Sequence, residues 1–171
     1  MMKQGIIKGV AAGITLVMAV TACAPTATAP GGLAGLAVNA EGEPVMVATW
    51  CGAAPDGVVV YRLAGGEFLD HADIKPPPLT GTSVSMSLEK LPPGWQIQKG
   101  DLNFIEGQTY AISPYSTKTH VRLREVNFTT QSKNQIPRGK IMIQEYSAEL
   151  GGTKDVLLSQ EEFNQRAERY C

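Results

Sequence analysis

Apolar and polar positions alternate along much of the chain. Residues 82–88 show it most cleanly: Val84, Met86 and Leu88 fall on one side, Ser83, Ser85 and Ser87 on the other. That period of two is the mark of a half-buried strand. Residues 44–50 (PVMVATW) and 57–63 (GVVVYRL) are rich in valine and aromatics and bracket a turn-rich stretch at 52–56, so both are predicted strands. Further strands are predicted at 95–98, 108–113, 121–129 and 140–146. Within 121–129 the apolar phase slips, with Val121 and Leu123 on one face and Val126 and Phe128 on the other. A β-bulge near Arg124 and Glu125 reconciles them. Turn signals recur between the runs at Glu41-Gly42, Pro93-Gly94, Glu106-Gly107 and Pro137-Arg138-Gly139. Many short strands so punctuated predict an antiparallel sandwich or barrel.

The period changes only at the end. Ser159-Gln-Glu-Glu162 is a capping-box signature with Ser159 as N-cap. Phe163, Ala167 and Tyr170 then share one helical stripe, and Glu162 and Arg166 are spaced for an i,i+4 pair. A short C-terminal helix is expected to dock Phe163 and Tyr170 on a sheet.

The first 22 residues follow a different logic. Lys3 and Lys8 precede an apolar run from Val10 to Val20, no acidic residue is present, and small residues close the segment. This is a secretory signal peptide, too short in its apolar core for an ordinary membrane anchor of about 20 residues. Ala22-Cys23-Ala24 by itself also permits an ordinary A-x-A cleavage. The closing tetrad Val20-Thr21-Ala22-Cys23 resembles the lipobox of bacterial lipoproteins, in which Leu is commoner than Val at the first position. The resemblance covers residues 1–23. It implies that Cys23 becomes the first mature residue, with a diacylglyceryl thioether on sulfur and an acyl group such as palmitate on its amine. It places the mature chain outside the cytoplasm, lipid-anchored to the cell membrane or the outer membrane. Residues 23–32, with the small and proline-rich run APTATAPGG, read as a flexible tether, and residues 33–171 as one domain.

Cysteine parity bears on this reading. The chain has three cysteines, Cys23, Cys51 and Cys171, and an odd cysteine in an exported protein needs an explanation. Lipidation of Cys23 supplies one. Outside the cytoplasm, Cys51 and Cys171 are then expected to form a disulfide.

Residues 104–110, Phe104-Ile-Glu-Gly107-Gln-Thr-Tyr110, resemble the tyrosine corner of immunoglobulin-like sandwiches, with Phe104 where Leu is usual. There a tyrosine hydroxyl bonds back to upstream backbone. The expected fold is therefore mostly β: an antiparallel immunoglobulin-like β-sandwich with a short C-terminal helix.

Candidate chemistry is sparse. Asp70, His71 and Asp73 lie close together, and with His120 they are types that bind metal or move protons. Their spacing fits no strong motif, so 69–73 reads as a solvated loop. Residues 151–154 (GGTK) lack the upstream glycine of a phosphate loop and read as a turn. Neither G-x-S-x-G nor H-E-x-x-H occurs. Trp50, Trp95 and Tyr115 are candidates for a ligand groove, with core burial the simpler fate of the two tryptophans. Three prolines at 76–78 suit a stiff connection.

The net charge of −1 argues against a nucleic-acid partner. The layout resembles small lipoproteins of bacterial envelopes, including those of actinobacteria, and implies a non-catalytic binding or structural module for an envelope protein or glycan, with no cofactor. The alternative is a membrane-tethered enzyme or metal-binding protein using Asp70, His71 and Asp73.

Overall fold

A computed structural model describes residues 30–171. The expected signal peptide, Cys23 and the expected tether as far as residue 29 lie outside the described residues.

The described residues form two antiparallel sheets and one C-terminal helix. The first sheet has the order β11-β10-β1-β2-β5, built from β1 (Gly32–Val38), β2 (Pro44–Trp50), β5 (Ser83–Ser87), β10 (Ile141–Ser147) and β11 (Gly152–Leu158). The second has the order β6-β4-β3-β7, from β3 (Gly57–Ala64), β4 (Glu67–Lys75), β6 (Gln96–Gly100) and β7 (Thr109–Ser116). β8 (Val121–Arg122) and β9 (Val126–Thr129) follow one another along β7.

Alternation places one face of each strand in a shared core. Leu36, Met46 and Met86 of the first sheet join Val58, Val60, Ile74 and Ile112 of the second. The other face of the first sheet is also covered. Leu33, Val47, Ile143 and Leu158 pack against Phe163 and Ala167 of helix α1 (Gln160–Glu168). β1 is therefore buried on both faces over most of its length. Its sequence, GLAGLAV, shows no alternation for that reason. The fold also begins earlier than Leu33. Gly31 N–H donates to the Arg122 carbonyl at 3.1 Å, and Gly32 pairs with Trp50, so both glycines belong to the fold and not to the tether.

Helix α1 begins as expected. Ser159 Oγ accepts from Glu162 N–H at 3.2 Å and Glu162 Oε2 accepts from Ser159 N–H at 2.6 Å. Phe163 is fully buried, and a Cβ on Gly35 would overlap its ring and Ile141, so the glycine opens the seat for the helix. Tyr170 packs at the cluster's edge. Arg166 pairs with Glu145 of β10 and not with Glu162, which is engaged in the cap. Cys51 and Cys171 stand at disulfide distance, with Cα atoms 5.7 Å apart and a sequence separation of 120.

The slip in 121–129 is a bulge. Arg122 and Val126 are four residues apart, whereas their partners Tyr115 and Ile112 are three apart. The extra backbone turns to the first sheet: Arg124 N–H donates to Gly32 O at 3.0 Å, and Ala34 N–H donates to Arg124 O at 2.8 Å. Gln144 of β10 adds a second bridge. Its amide accepts from Asn127 N–H at 2.7 Å and donates to Asn127 O at 2.9 Å, as a neighbouring strand would.

Two further expectations are corrected. Residues 69–73 are not a loop but the middle of β4, where a bulge at His71 interrupts the phase against β3. Gly152 and its successors are not a turn but the start of edge strand β11. Tyr110 is fully buried, and its hydroxyl accepts from Ile105 N–H at 2.8 Å, the back-bond that residues 104–110 predict.

Two stability measurements follow from these contacts. Replacing Cys51 and Cys171 together by serine is expected to lower the unfolding free energy by about 4–5 kcal/mol in urea titration, because the bridge closes a long loop. Phe163→Ala is expected to cost about 3–5 kcal/mol by the same method, and a cost below about 1 kcal/mol would contradict the helix docking described.

Candidate ligand-binding site

The outward face of the second sheet gathers polar and aromatic side chains around one cavity. On β3, Val58 and Val60 point into the core, which turns Val59 and Tyr61 outward. On β7, Tyr110 and Ile112 are core residues, which turns Tyr115 outward. Register sets Tyr115 opposite Gly57. A Cβ at Gly57 would overlap the Tyr115 ring, so the glycine lets the ring lie down on the sheet. β4 supplies Asp70 and Asp73, β6 supplies Lys99, and β8 supplies Arg122.

These side chains line an open cavity of about 410 Å³. The Tyr115 hydroxyl donates to Asp73 Oδ1 at 3.2 Å. Arg122 Nη1 donates to the Tyr61 hydroxyl at 2.9 Å, and its guanidinium stands 5.6 Å from the Tyr115 ring centre. Lys99 Nζ lies 3.4 Å from Asp70 Oδ2. That last pair is exposed and contributes little to stability. Two carboxylates and two cations thus share one wall with two phenol rings. Burial raises the Tyr115 pKa above 10.0, and the neighbouring Asp73 charge adds to the rise while Arg122 opposes it.

At the cavity's edge Asp56 fixes the end of β7. Burial works to raise its carboxyl pKa, but bonds from Thr117 Oγ1 at 2.6 Å and Thr117 N at 2.8 Å outweigh it and hold the value below 3.8. This arrangement offers aromatic faces, donors and acceptors held in place by one another. It suits a polar ligand bound by hydrogen bonds and stacking.

The structure divides the residues singled out from sequence. Asp70 and Asp73 contribute to the cavity through separate partners, Lys99 and Tyr115. The His71 ring packs against Phe104 and Tyr110, with centres 5.9 Å and 5.0 Å away, and its Nε2 lies 3.9 Å from Asp101 Oδ1. His120 sits in the turn before β8 and lines other clefts. Among the described residues, no three His, Cys, Asp or Glu side chains converge to hold a metal ion. Tyr115 does line a groove, whereas Trp50 is core and Trp95 packs against it. Tyr61, Lys99 and Arg122 were not apparent from sequence. The alternation of 57–63, which puts Tyr61 out of phase with Val58 and Val60, is the local signal that could have marked one of them.

The chain matches no family model, no curated protein and no solved structure.

Asp73→Asn is expected to lower the Tyr115 pKa, because it removes a negative charge while burial persists. NMR titration with ring-labelled tyrosine reads this directly, and an unchanged value would contradict the contact. The folded phenol holds its proton more tightly than the unfolded one. Its contribution to stability is complete below pH 10.0 and is lost as pH rises through the raised folded value.

Proposed function

We propose that the protein is a bacterial envelope lipoprotein whose domain, an immunoglobulin-like β-sandwich, binds a protein or glycan partner without chemistry. The lipobox tetrad carries the anchoring half of this reading. The pairing of Cys51 with Cys171 supports it, since three cysteines then leave Cys23 as the odd one. Two antiparallel sheets sharing one core, with the Tyr110 back-bond, support the sandwich.

The binding half rests on the cavity over β3, β4 and β7. Its polar groups are committed to one another, Tyr115 to Asp73, Arg122 to Tyr61 and Lys99 to Asp70. Such mutual bonds orient donors and acceptors in advance of a ligand, which lowers the ordering cost of binding. A polar partner in the envelope, presented close to the bilayer, matches both halves.

Cys23→Ser is expected to move the protein from the membrane fraction to the soluble fraction when cells expressing it are fractionated. Retention of the variant in the membrane fraction would sink the anchoring reading.

A further inference from the structure

A second cleft lies where the chain enters the fold. It has a volume of about 480 Å³, and Pro30, Ser113, His120, Arg122, Arg124 and Thr153 are among its walls. Its floor is the bulge that joins the two sheets. Arg122 Nη1 is bonded to Tyr61, and Arg124 Nη2 to the Gln144 carbonyl at 3.3 Å with its guanidinium over the Tyr170 ring. Each guanidinium has five N–H donors, so each keeps further donors for a ligand. Asn127 also lines the cleft, and its Oδ1 is buried with no partner. Cationic donors beside an unused acceptor suit an anion that also carries hydroxyls.

The charge around the cleft runs against that of the domain. The chain's net charge is −1, and Lys3 and Lys8 are its charged residues before Pro30, so residues 30–171 carry −3. Yet residues 117–124, TKTHVRLR, hold Lys118, Arg122 and Arg124 and no carboxylate. Asp56 and Asp155 contact Thr117 and Gln144, so three carboxylates stand near these three cations, but on the cleft wall itself Arg122 and Arg124 face Glu125 alone. The rest of the domain is more acidic, and an anionic surface would attract this end and repel the others.

Position selects the source of the anion. Cys23 and Pro30 are seven residues apart, a span of at most about 25 Å at full extension. We propose that this cleft binds the phosphate ester of an anionic glycerol-bearing lipid headgroup, and that this contact seats the root of the domain on the bilayer that holds its anchor. The proposal rests on the lipid-anchor reading of Cys23. It makes the lipid more than a leash, because it fixes which end of the domain faces the membrane and which face is presented away from it.

The test uses the full lipidated chain in vesicles of phosphatidylglycerol or of phosphatidylcholine. An amine-acetylating reagent and mass spectrometry report the reaction rate of exposed Lys118, two residues from His120. Exposed Lys90, beyond the opposite end of β2 and β5, serves as the internal reference. Lys118 is expected to react several-fold more slowly on phosphatidylglycerol than on phosphatidylcholine, and high salt should remove the difference. Arg122→Gln and Arg124→Gln should each weaken the docking equilibrium about fivefold. Both variants are used because Arg124 also touches Tyr170, and a matching thermal transition confirms that each is folded.

Equal Lys118 rates on the two vesicles, with the protein floating with both, would overturn this proposal and leave the anchor reading standing. Protection by soluble glycerol phosphate on phosphatidylcholine vesicles would reassign the cleft to a free phosphate ester and overturn membrane seating. Failure of the chain to float with either vesicle would overturn the anchor reading, and this proposal with it.

Discussion

The backbone of Gly31 and Gly32 is the junction on which the rest of the structure depends. Gly31 N–H is held by the Arg122 carbonyl, and Gly31 O accepts from Cys51 N–H at 2.9 Å. Gly32 O accepts from Arg124 N–H. Two residues thus tie together the first strand, the cysteine loop and the bulge that passes between the sheets. Through Cys51 the junction also reaches the C-terminus and helix α1. Backbone groups buried this way must be paired, because an unpaired one costs about as much as a lost hydrogen bond. The position where a tether would join the domain is therefore a fixed corner of the fold.

That corner explains the layering. β1 runs from the junction through the centre of the first sheet, with the second sheet on one side and α1 on the other. Helix α1 covers a face that would otherwise expose Leu33, Val47, Ile143 and Leu158. A short helix is marginal by itself. Here its capping box, the buried Phe163, the Arg166–Glu145 pair and the Cys51–Cys171 link hold it in place together. The terminal cysteine secures the turn most prone to fray.

How much of this could be read from sequence varied with the physics of each element. β2, β3, β5, β7 and β10 are half-exposed or rich in β-branched residues, and their patterns announced them. The capping box announced α1, and the phase slip announced the bulge between β8 and β9. β1 was silent because burial on both faces erases alternation. β4 was misread because a bulge at His71 breaks its phase and its outward side chains are acidic, so Asp70, His71 and Asp73 looked like a solvated turn. β11 is an edge strand whose exposed positions resemble a loop. The candidate site was mostly hidden for a different reason. Tyr61, Lys99 and Arg122 come from three strands that only pairing brings together, and no local pattern encodes pairing. Cleft and cavity then meet at Arg122, which lines both. One residue therefore connects the cavity proposed to meet a partner with the end proposed to face the lipid.

The account stands on the proposed thioether at Cys23, eight residues ahead of Gly31, where the hydrogen bonds of the described fold begin. Intact-mass analysis of the mature chain extracted from membranes tests it most directly. The account predicts a polypeptide beginning at Cys23 and heavier than its sequence by a diacylglyceryl group, with or without a further acyl chain. An unmodified mass, or a mature chain that begins at another residue, would contradict it.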